Sequence, residues 1–124
     1  MKNNYLYLNS RDEFLRIKTD SIVYFESDGN YTNIILANKV KCSVCMNLAQ
    51  MQKVLSENLK ERASIYARIG KCYIVNLNYV FQINVLRQKL TLTDGHHFSY
   101  QIGASKEALR RLKELYVKAA VKND

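Results

Sequence analysis

Two cations flank a glycine near the middle of the chain, where Arg68 and Lys71 lie on either side of Gly70. Apolar runs precede and follow them, so the stretch is interpreted as a short, bent connection between two buried segments. Glycine permits the backbone angles that such a bend needs. Positive charge held rigidly in this way suits contacts with phosphates or with the acceptor edge of guanine, so we expect the stretch to meet DNA.

The other residue sets that could carry chemistry are weaker. Cys42 and Cys45 have the spacing of a zinc or redox pair, but residues i and i+3 of a strand point to opposite faces. Only His96 and His97, predicted to be exposed at a hairpin tip, could complete a metal site, so packing is the better interpretation of the cysteines. No phosphate loop and no nucleophile–base pair can be proposed. The sequence therefore favours a binding module over an enzyme, without a cofactor or a small-molecule substrate.

The composition indicates one domain with a polyanionic partner. The chain has 124 residues, with 19 Lys and Arg against 11 Asp and Glu, and a net charge of +8. Nucleic acid or an anionic membrane surface would suit this excess, and a merely soluble basic protein is the other interpretation. No apolar run approaches the roughly 20 residues of a membrane helix, and no signal peptide is recognised. The small, odd number of cysteines fits a reducing cytoplasm. We expect a single domain over 1–124, with its core at about 5–118, and no membrane partner.

Short strands with turns every few residues dominate the predicted secondary structure. Residues 22–25 form an apolar run typical of a buried strand, and residues 26–30 are predicted to be a polar loop. Asp94-Gly95 is the strongest hairpin signal, with a return strand from about 97 to 102. About eight strands are predicted, and because they do not alternate with helices, the fold class is mostly β with α additions, in small antiparallel sheets. Further strands are predicted at 5–8, 14–18, 31–37, 40–46, 79–86 and 89–93.

Two helices are predicted, one in the middle of the chain and one at its C-terminal end. Asn47 can cap the first helix and Ser105 the second. Lys106, in the first turn of the second helix, opposes the helix dipole, which indicates a functional role such as holding a phosphate. The apolar stripes are Leu48, Met51, Leu55 and Leu59 in the first helix and Leu109, Leu112, Tyr116 and Ala119 in the second, whose opposite face carries Arg110, Lys113 and Lys118.

Three stretches resemble the LytTR family of DNA-binding domains. Residues 22–32 are similar to its segment I-x-Y-[IF]-E-A-x-G-N-Y-x, and residues 66–80 to its segment F-x-R-I-H-R-S-Y-I-V-N-L-x-Y-I. Residues 90–95 and 102–105 resemble the last hairpin of the family and the start of its terminal helix. Together these segments span roughly residues 5–115.

The resemblance implies an elongated arrangement of small sheets and a role in bacterial transcription regulation, close to that of response regulators. Loops rather than a recognition helix would enter successive major grooves of double-stranded DNA, usually at directly repeated sites, with a homodimer as one option. The contact regions that it implies are Asn30, Tyr31 and Thr32, then Gly70 and Lys71, then residues 103–106 with Ser105 and Lys106.

Residue chemistry leaves several roles open. Lys71 can contact a phosphate or a guanine, and Arg68 could do either or could pair with a carboxylate inside the fold. Thr32 can meet a thymine methyl or a phosphate, while the ring of Tyr31 could belong to the core or its hydroxyl could reach a phosphate. Asn76, between apolar residues, favours hydrogen bonds to the local backbone.

The sequence departs from the family pattern at three positions. Gly70 stands where the family usually has His, Cys72 where it has Ser, and Ala104 where Arg is common. These departures favour an alternative function, a protein–protein interaction module of the same fold that has lost DNA sequence readout. The net charge and the central cations favour DNA binding. RNA binding through the tyrosines is a further option, although no recognised RNA motif is present.

Overall fold

The computed structural model describes residues 4–123, with side chains to residue 120, and contains ten strands, two α-helices and three short 3-10 helices at Thr19–Ser21, Lys60–Ile65 and Leu77–Tyr79. The mostly β class with one central and one C-terminal helix is confirmed. The prediction of about eight strands is wrong, because the central stretch folds into a hairpin of two separate strands. The strands are β1 (Tyr5–Asn9), β2 (Phe14–Lys18), β3 (Ile22–Asp28), β4 (Tyr31–Leu36), β5 (Lys41–Val44), β6 (Tyr66–Ile69), β7 (Tyr73–Asn76), β8 (Val80–Asn84), β9 (Lys89–Thr93) and β10 (Ser99–Gly103), and the helices are α1 (Leu48–Leu59) and α2 (Lys106–Asn123).

Three antiparallel sheets are built from these strands, as predicted. β1 pairs with β2, and β8, β9 and β10 form a three-stranded sheet with β9 in the middle. The remaining strands form a five-stranded sheet in the order β5-β4-β3-β7-β6. The one non-local pairing in that order joins β3 to β7, so the central hairpin β6–β7 becomes part of the same sheet as the segment that precedes it.

The five-stranded sheet is buried on both faces. On one face, Ile22 and Phe25 belong to a cluster with side chains of β1, β2 and α1. On the other, Val23 and Tyr24 belong to a cluster with side chains of β8, β9, β10 and α2. Two consecutive residues can face the same side because the register of β3 against β4 shifts at Val23, as in a β-bulge.

Both predicted helix caps are present. The Asn47 side chain and Gln50 form a capping box at the start of α1, and the predicted stripe of this helix is buried. At α2 the Ala108 N–H donates to Ser105 Oγ over 3.1 Å, and Leu109 and Leu112 of the predicted stripe are buried. The prediction that Ala119 belongs to a buried stripe is wrong, because every residue from 113 to 120 is exposed; of these, Tyr116 still donates its hydroxyl to the Leu77 carbonyl over 2.6 Å.

The predicted polar loop over residues 26–30 is shorter than expected. β3 continues to Asp28, because the buried amide of Asn33 in β4 links the two strands. Its Nδ2 donates to Glu26 Oε1 and Asp28 Oδ2, each over 3.3 Å, and its Oδ1 accepts a hydrogen bond of 2.6 Å from Ser43 Oγ in β5. Cross-strand hydrogen bonds therefore extend the hairpin into a segment whose polarity predicted a loop.

The last hairpin also differs from the prediction, since β10 begins at Ser99 rather than near His97. Asp94 Oδ1 accepts hydrogen bonds from the backbone N–H groups of His96, His97 and Phe98, so these residues form a loop. These bonds, that of His96 first, lower the pKa of Asp94 well below its ordinary value of 3.8, because they favour the charged carboxylate. His96 and His97 are exposed, as predicted.

Asn76→Ala should lower the free energy of unfolding by about 1–3 kcal/mol. As predicted, this buried amide serves the backbone, because its Nδ2 donates to the Ile22 carbonyl over 2.8 Å and its Oδ1 accepts from the Asn78 N–H over 2.9 Å. Urea unfolding measures the loss. Asn78→Ala, at an exposed position, is the control, and an equal loss in both variants would contradict the assignment.

Asp94→Ala should make folding less sensitive to acid. Since the folded-state pKa lies below the ordinary value, the stability that Asp94 contributes is complete above about pH 4 and is lost as the pH falls further. Thermal unfolding at pH 7 and pH 3 measures this effect. The wild-type melting temperature should drop by more than that of the variant, and Asp12→Ala in the first hairpin turn should behave like the wild type.

Candidate nucleic-acid interface

Two hairpin tips lie side by side at one end of the five-stranded sheet. Tip 1 is the β3–β4 turn, residues 28–31, and tip 2 is the β6–β7 turn, residues 70–72. Each contains a glycine with a positive φ, +61° at Gly29 and +62° at Gly70. The N–H of Ser27 at the end of β3 donates over 2.9 Å to the carbonyl of the last residue of tip 2. The sheet therefore brings together two of the three predicted contact regions.

The start of α2 lies at this same end. At the opposite end of the molecule, Lys39 in the β4–β5 turn and His97 in the β9–β10 turn line one cavity. β10 runs away from that turn to Gly103, and α2 begins just after it. In agreement, Gly70 lines a cleft together with residues of the first turns of α2. Tip 1, tip 2 and residues 103–106 are called the tip edge below.

Arg68 ties tip 2 together from within. Its Nε donates to the Gly70 carbonyl over 3.0 Å, and its Nη2 donates to the Lys71 carbonyl over 3.1 Å. Its Nη1 donates to Gln52 Oε1 of α1 over 2.7 Å. The alternative of an internal carboxylate partner is wrong, because none pairs with Arg68 among the described residues. The guanidinium therefore fixes the loop backbone and leaves its positive charge uncompensated.

Further cations project from the tip edge. Lys71, Lys106 and Arg110 are exposed, and none of them forms an ion pair with a residue between 4 and 120. Lys106 and Arg110 are one helical turn apart and so share a face of α2. Ser105, also exposed, uses its hydroxyl as the N-cap of that helix. The tip edge can therefore offer positive charge and hydrogen-bond donors to an anion.

The three residues predicted at tip 1 differ in their exposure. Asn30 is exposed and 49% of Tyr31 is accessible, so the Tyr31 ring is not part of the core. Thr32 is 0% exposed, and its Oγ1 donates to the Met46 carbonyl over 2.7 Å. The prediction of a contact between Thr32 and DNA is therefore corrected: the side chain lies beneath the tip and anchors β4 to the segment before α1.

Sequence reasoning missed Gln52 and Arg111. Gln52 holds Arg68, while Arg111 of α2 lines the cleft beside Gly70 and pairs with Glu107 over 2.6 Å. Both residues reach the site because a helix packs on the sheet. No local sequence pattern around either residue predicts that contact. The apolar stripes of the two helices predicted only that each helix packs on an apolar surface.

The cysteines show no sign of a metal or redox site. Cys42 is partly buried against the core, and this burial, with a smaller effect of Glu13, raises the pKa of its thiol. Cys45 is exposed, so the packing interpretation is wrong for this residue, because β5 ends at Val44. Within the part of the chain that the structure describes, no three His, Cys, Asp or Glu side chains are grouped as metal ligands.

The exposed cations of the tip edge, which form no ion pairs with described residues, are chemically suited to a polyanion. The sequence pattern of the LytTr DNA-binding domain matches residues 12–116. The chain therefore belongs to the LytTR family, a family of DNA-binding domains of transcription regulators and not a class of enzymes, and the predicted resemblance is confirmed. Neither described helix has the length and apolar character to cross a membrane.

Individual relatives agree with this membership. The heme-containing CO-sensing transcriptional regulators RcoM 1 and RcoM 2 of Paraburkholderia xenovorans strain LB400 are 29% and 28% identical to the chain over 110 residues. The match covers 89% of this chain but only 38% of each relative. The fold is also that of the LytTr domain of a protein described as a methyl-accepting/DNA response regulator from Bacillus cereus. The TM-score is 0.64 at 15% identity, covering 92% of this chain and 97% of that one.

Arg68→Ala should loosen tip 2 while the sheet stays folded. The substitution removes the two hydrogen bonds from Arg68 to the loop carbonyls and the bond from Arg68 to Gln52, so amide hydrogen exchange should accelerate at residues 70–72 and stay slow at Val75 in β7. Arg68→Lys keeps the charge but lacks the forked donors, so it should behave like the alanine variant. Nuclear magnetic resonance measures the exchange. Unchanged exchange rates at residues 70–72 in both variants would show that Arg68 does not hold tip 2 in place.

Proposed function

We propose that the chain is a sequence-reading DNA-binding domain of a bacterial transcription regulator, working in the cytoplasm. The observation that carries this proposal is the tip edge, where Arg68 fixes the backbone of tip 2 and leaves Lys71 exposed without an ion pair. Lys71 would contact a phosphate or guanine, and Asn30 and Tyr31 would add polar groups from tip 1. Lys106 and the free N–H groups at the start of α2 would hold a further phosphate.

The dimensions of DNA decide how the tip edge is used. Neighbouring strands are about 4.8 Å apart, and the centres of tips 1 and 2 are two strand spacings apart, roughly 10 Å, so both tips would enter one major groove, which is about 12 Å wide. Successive major grooves are about 34 Å apart, close to the roughly 35 Å diameter of a compact chain of this length. The start of α2, or a second copy on a directly repeated site, would have to reach the next groove.

A protein–protein interaction module of the same fold remains the second candidate. Gly70 offers no side chain and Ala104 is a partly buried alanine, so two positions where the family usually has His and Arg present no polar group. Ala104→Arg separates the two functions. If Ala104→Arg binds a preferred duplex more tightly than the wild type does, DNA readout is supported. If neither the wild type nor the variant selects a preferred duplex, the second candidate is supported.

Lys71→Ala should weaken binding to a preferred duplex and lower the slope of log affinity against log salt by about 1, as expected for one lost phosphate contact. The preferred duplex is first selected from random DNA, where we expect an enriched pair of direct repeats about one or more helical turns apart. Affinity is then measured over a range of salt concentrations.

The control for Lys71→Ala is Lys41→Ala. Lys41 is an exposed cation in β5 at the far end of the sheet from the tips, and its substitution by alanine removes the same net charge as Lys71→Ala. If both variants change affinity and slope equally, tip 2 is not the contact and only the net charge matters. If the wild type enriches no sequence at all, sequence reading is refuted.

A further inference from the structure

The β1–β2 hairpin exposes an unusual outer face. Leu6, Leu8 and Ile17 point into the core, so the alternate residues of both strands point away from it. Those outward residues are Tyr5, Tyr7 and Asn9 of β1 and Phe14, Arg16 and Lys18 of β2. Three of them are aromatic, two are cationic and none is acidic. This set is called the outer hairpin face below.

The aromatic rings of this face form a connected surface. Tyr7 is 42% exposed and Phe14 is 59% exposed, although both are large and partly apolar. Their ring centroids are 6.1 Å apart with an angle of 24° between the planes, and Tyr5 lies 6.3 Å from Tyr7. The guanidinium of Arg16, opposite Tyr7 in the hairpin, lies over the partly buried Tyr5 ring at 4.5 Å from its centroid.

We propose that the outer hairpin face binds single-stranded nucleic acid. Nearly parallel aromatic rings on a sheet surface are platforms on which bases stack, whatever their sequence. Arg16 and Lys18 flank the rings and would contact the phosphates of the same strand. A second copy of the chain is a poorer occupant, because two cationic faces on chains of net charge +8 repel each other electrostatically.

The outer hairpin face adjoins the tip edge. Tyr7 of the face and Tyr31 of tip 1 line the same cavity, of about 420 Å³, between the hairpin, the end of β5 and α1. A strand that leaves a duplex at tip 1 would therefore reach Tyr7 without crossing the molecule. This second step rests on the proposed function: a duplex held at the tip edge would present its single-stranded overhang to the hairpin at high effective concentration.

The test compares a blunt duplex carrying the preferred site with the same duplex extended at either end by an oligo-dT overhang of about twelve nucleotides. One overhang should raise the affinity about tenfold, and Tyr7→Ala and Phe14→Ala should each remove most of that gain. Affinity for the blunt duplex should not change, because neither ring belongs to the tip edge. Phe14→Tyr keeps a ring and should keep the gain.

Phe81→Ala is the matched control, since Phe81 is 72% exposed in β8, outside the hairpin. A gain that survives in the Tyr7→Ala/Phe14→Ala double variant overturns the proposal. The proposal is also overturned if Arg16→Gln removes the gain from the overhang while the ring substitutions do not, because charge alone would then explain that gain. Oligo-dT without a duplex tests the face separately. Its binding, lost in the double variant, supports the proposal even if no preferred duplex exists.

Discussion

Burial of both faces of the five-stranded sheet is the constraint on which the rest of the structure depends. β3 supplies Ile22 and Phe25 to one apolar layer and Val23 and Tyr24 to the other. A shift of one residue in the pairing of β3 would move side chains into the wrong layer, so the register is fixed from both sides. Because tips 1 and 2 are the ends of these same strands, the two layers also determine where the tips stand relative to each other.

The positive charge of Arg68 at tip 2 is the second feature on which the candidate site depends. Arg68 makes three internal hydrogen bonds, and its acceptors are two backbone carbonyls and a side-chain amide oxygen rather than a carboxylate. Asp28 of tip 1 and Glu26 just before it accept hydrogen bonds from Asn33, and neither forms an ion pair with a described residue. The loop is thus ordered without being neutralised, which preserves the attraction for phosphate.

Local patterns predicted the parts of this structure that depend on neighbours in the sequence. The strands at 14–18 and 89–93, the two N-caps and the backbone role of Asn76 are as predicted. Two of the errors at the site concern contacts between distant segments. Burial of Thr32 depends on Met46, and the orientation of Arg68 depends on Gln52. These partners lie 14 and 16 residues away, far beyond the spacings of two to four residues on which strand and helix periodicity is based.

The pairing of β3 with β7 also sets the order in which the molecule can form. The side chain of Asn76 reaches the Ile22 carbonyl across 54 positions of the chain, while β3, β4, β5 and α1 follow one another directly. Closing so long a loop costs entropy before any contact repays it, so we expect β7 to dock after the β3–β4–β5 meander has formed. Until then the apolar edge of β3 lacks a neighbour, and at high protein concentration another chain can occupy it.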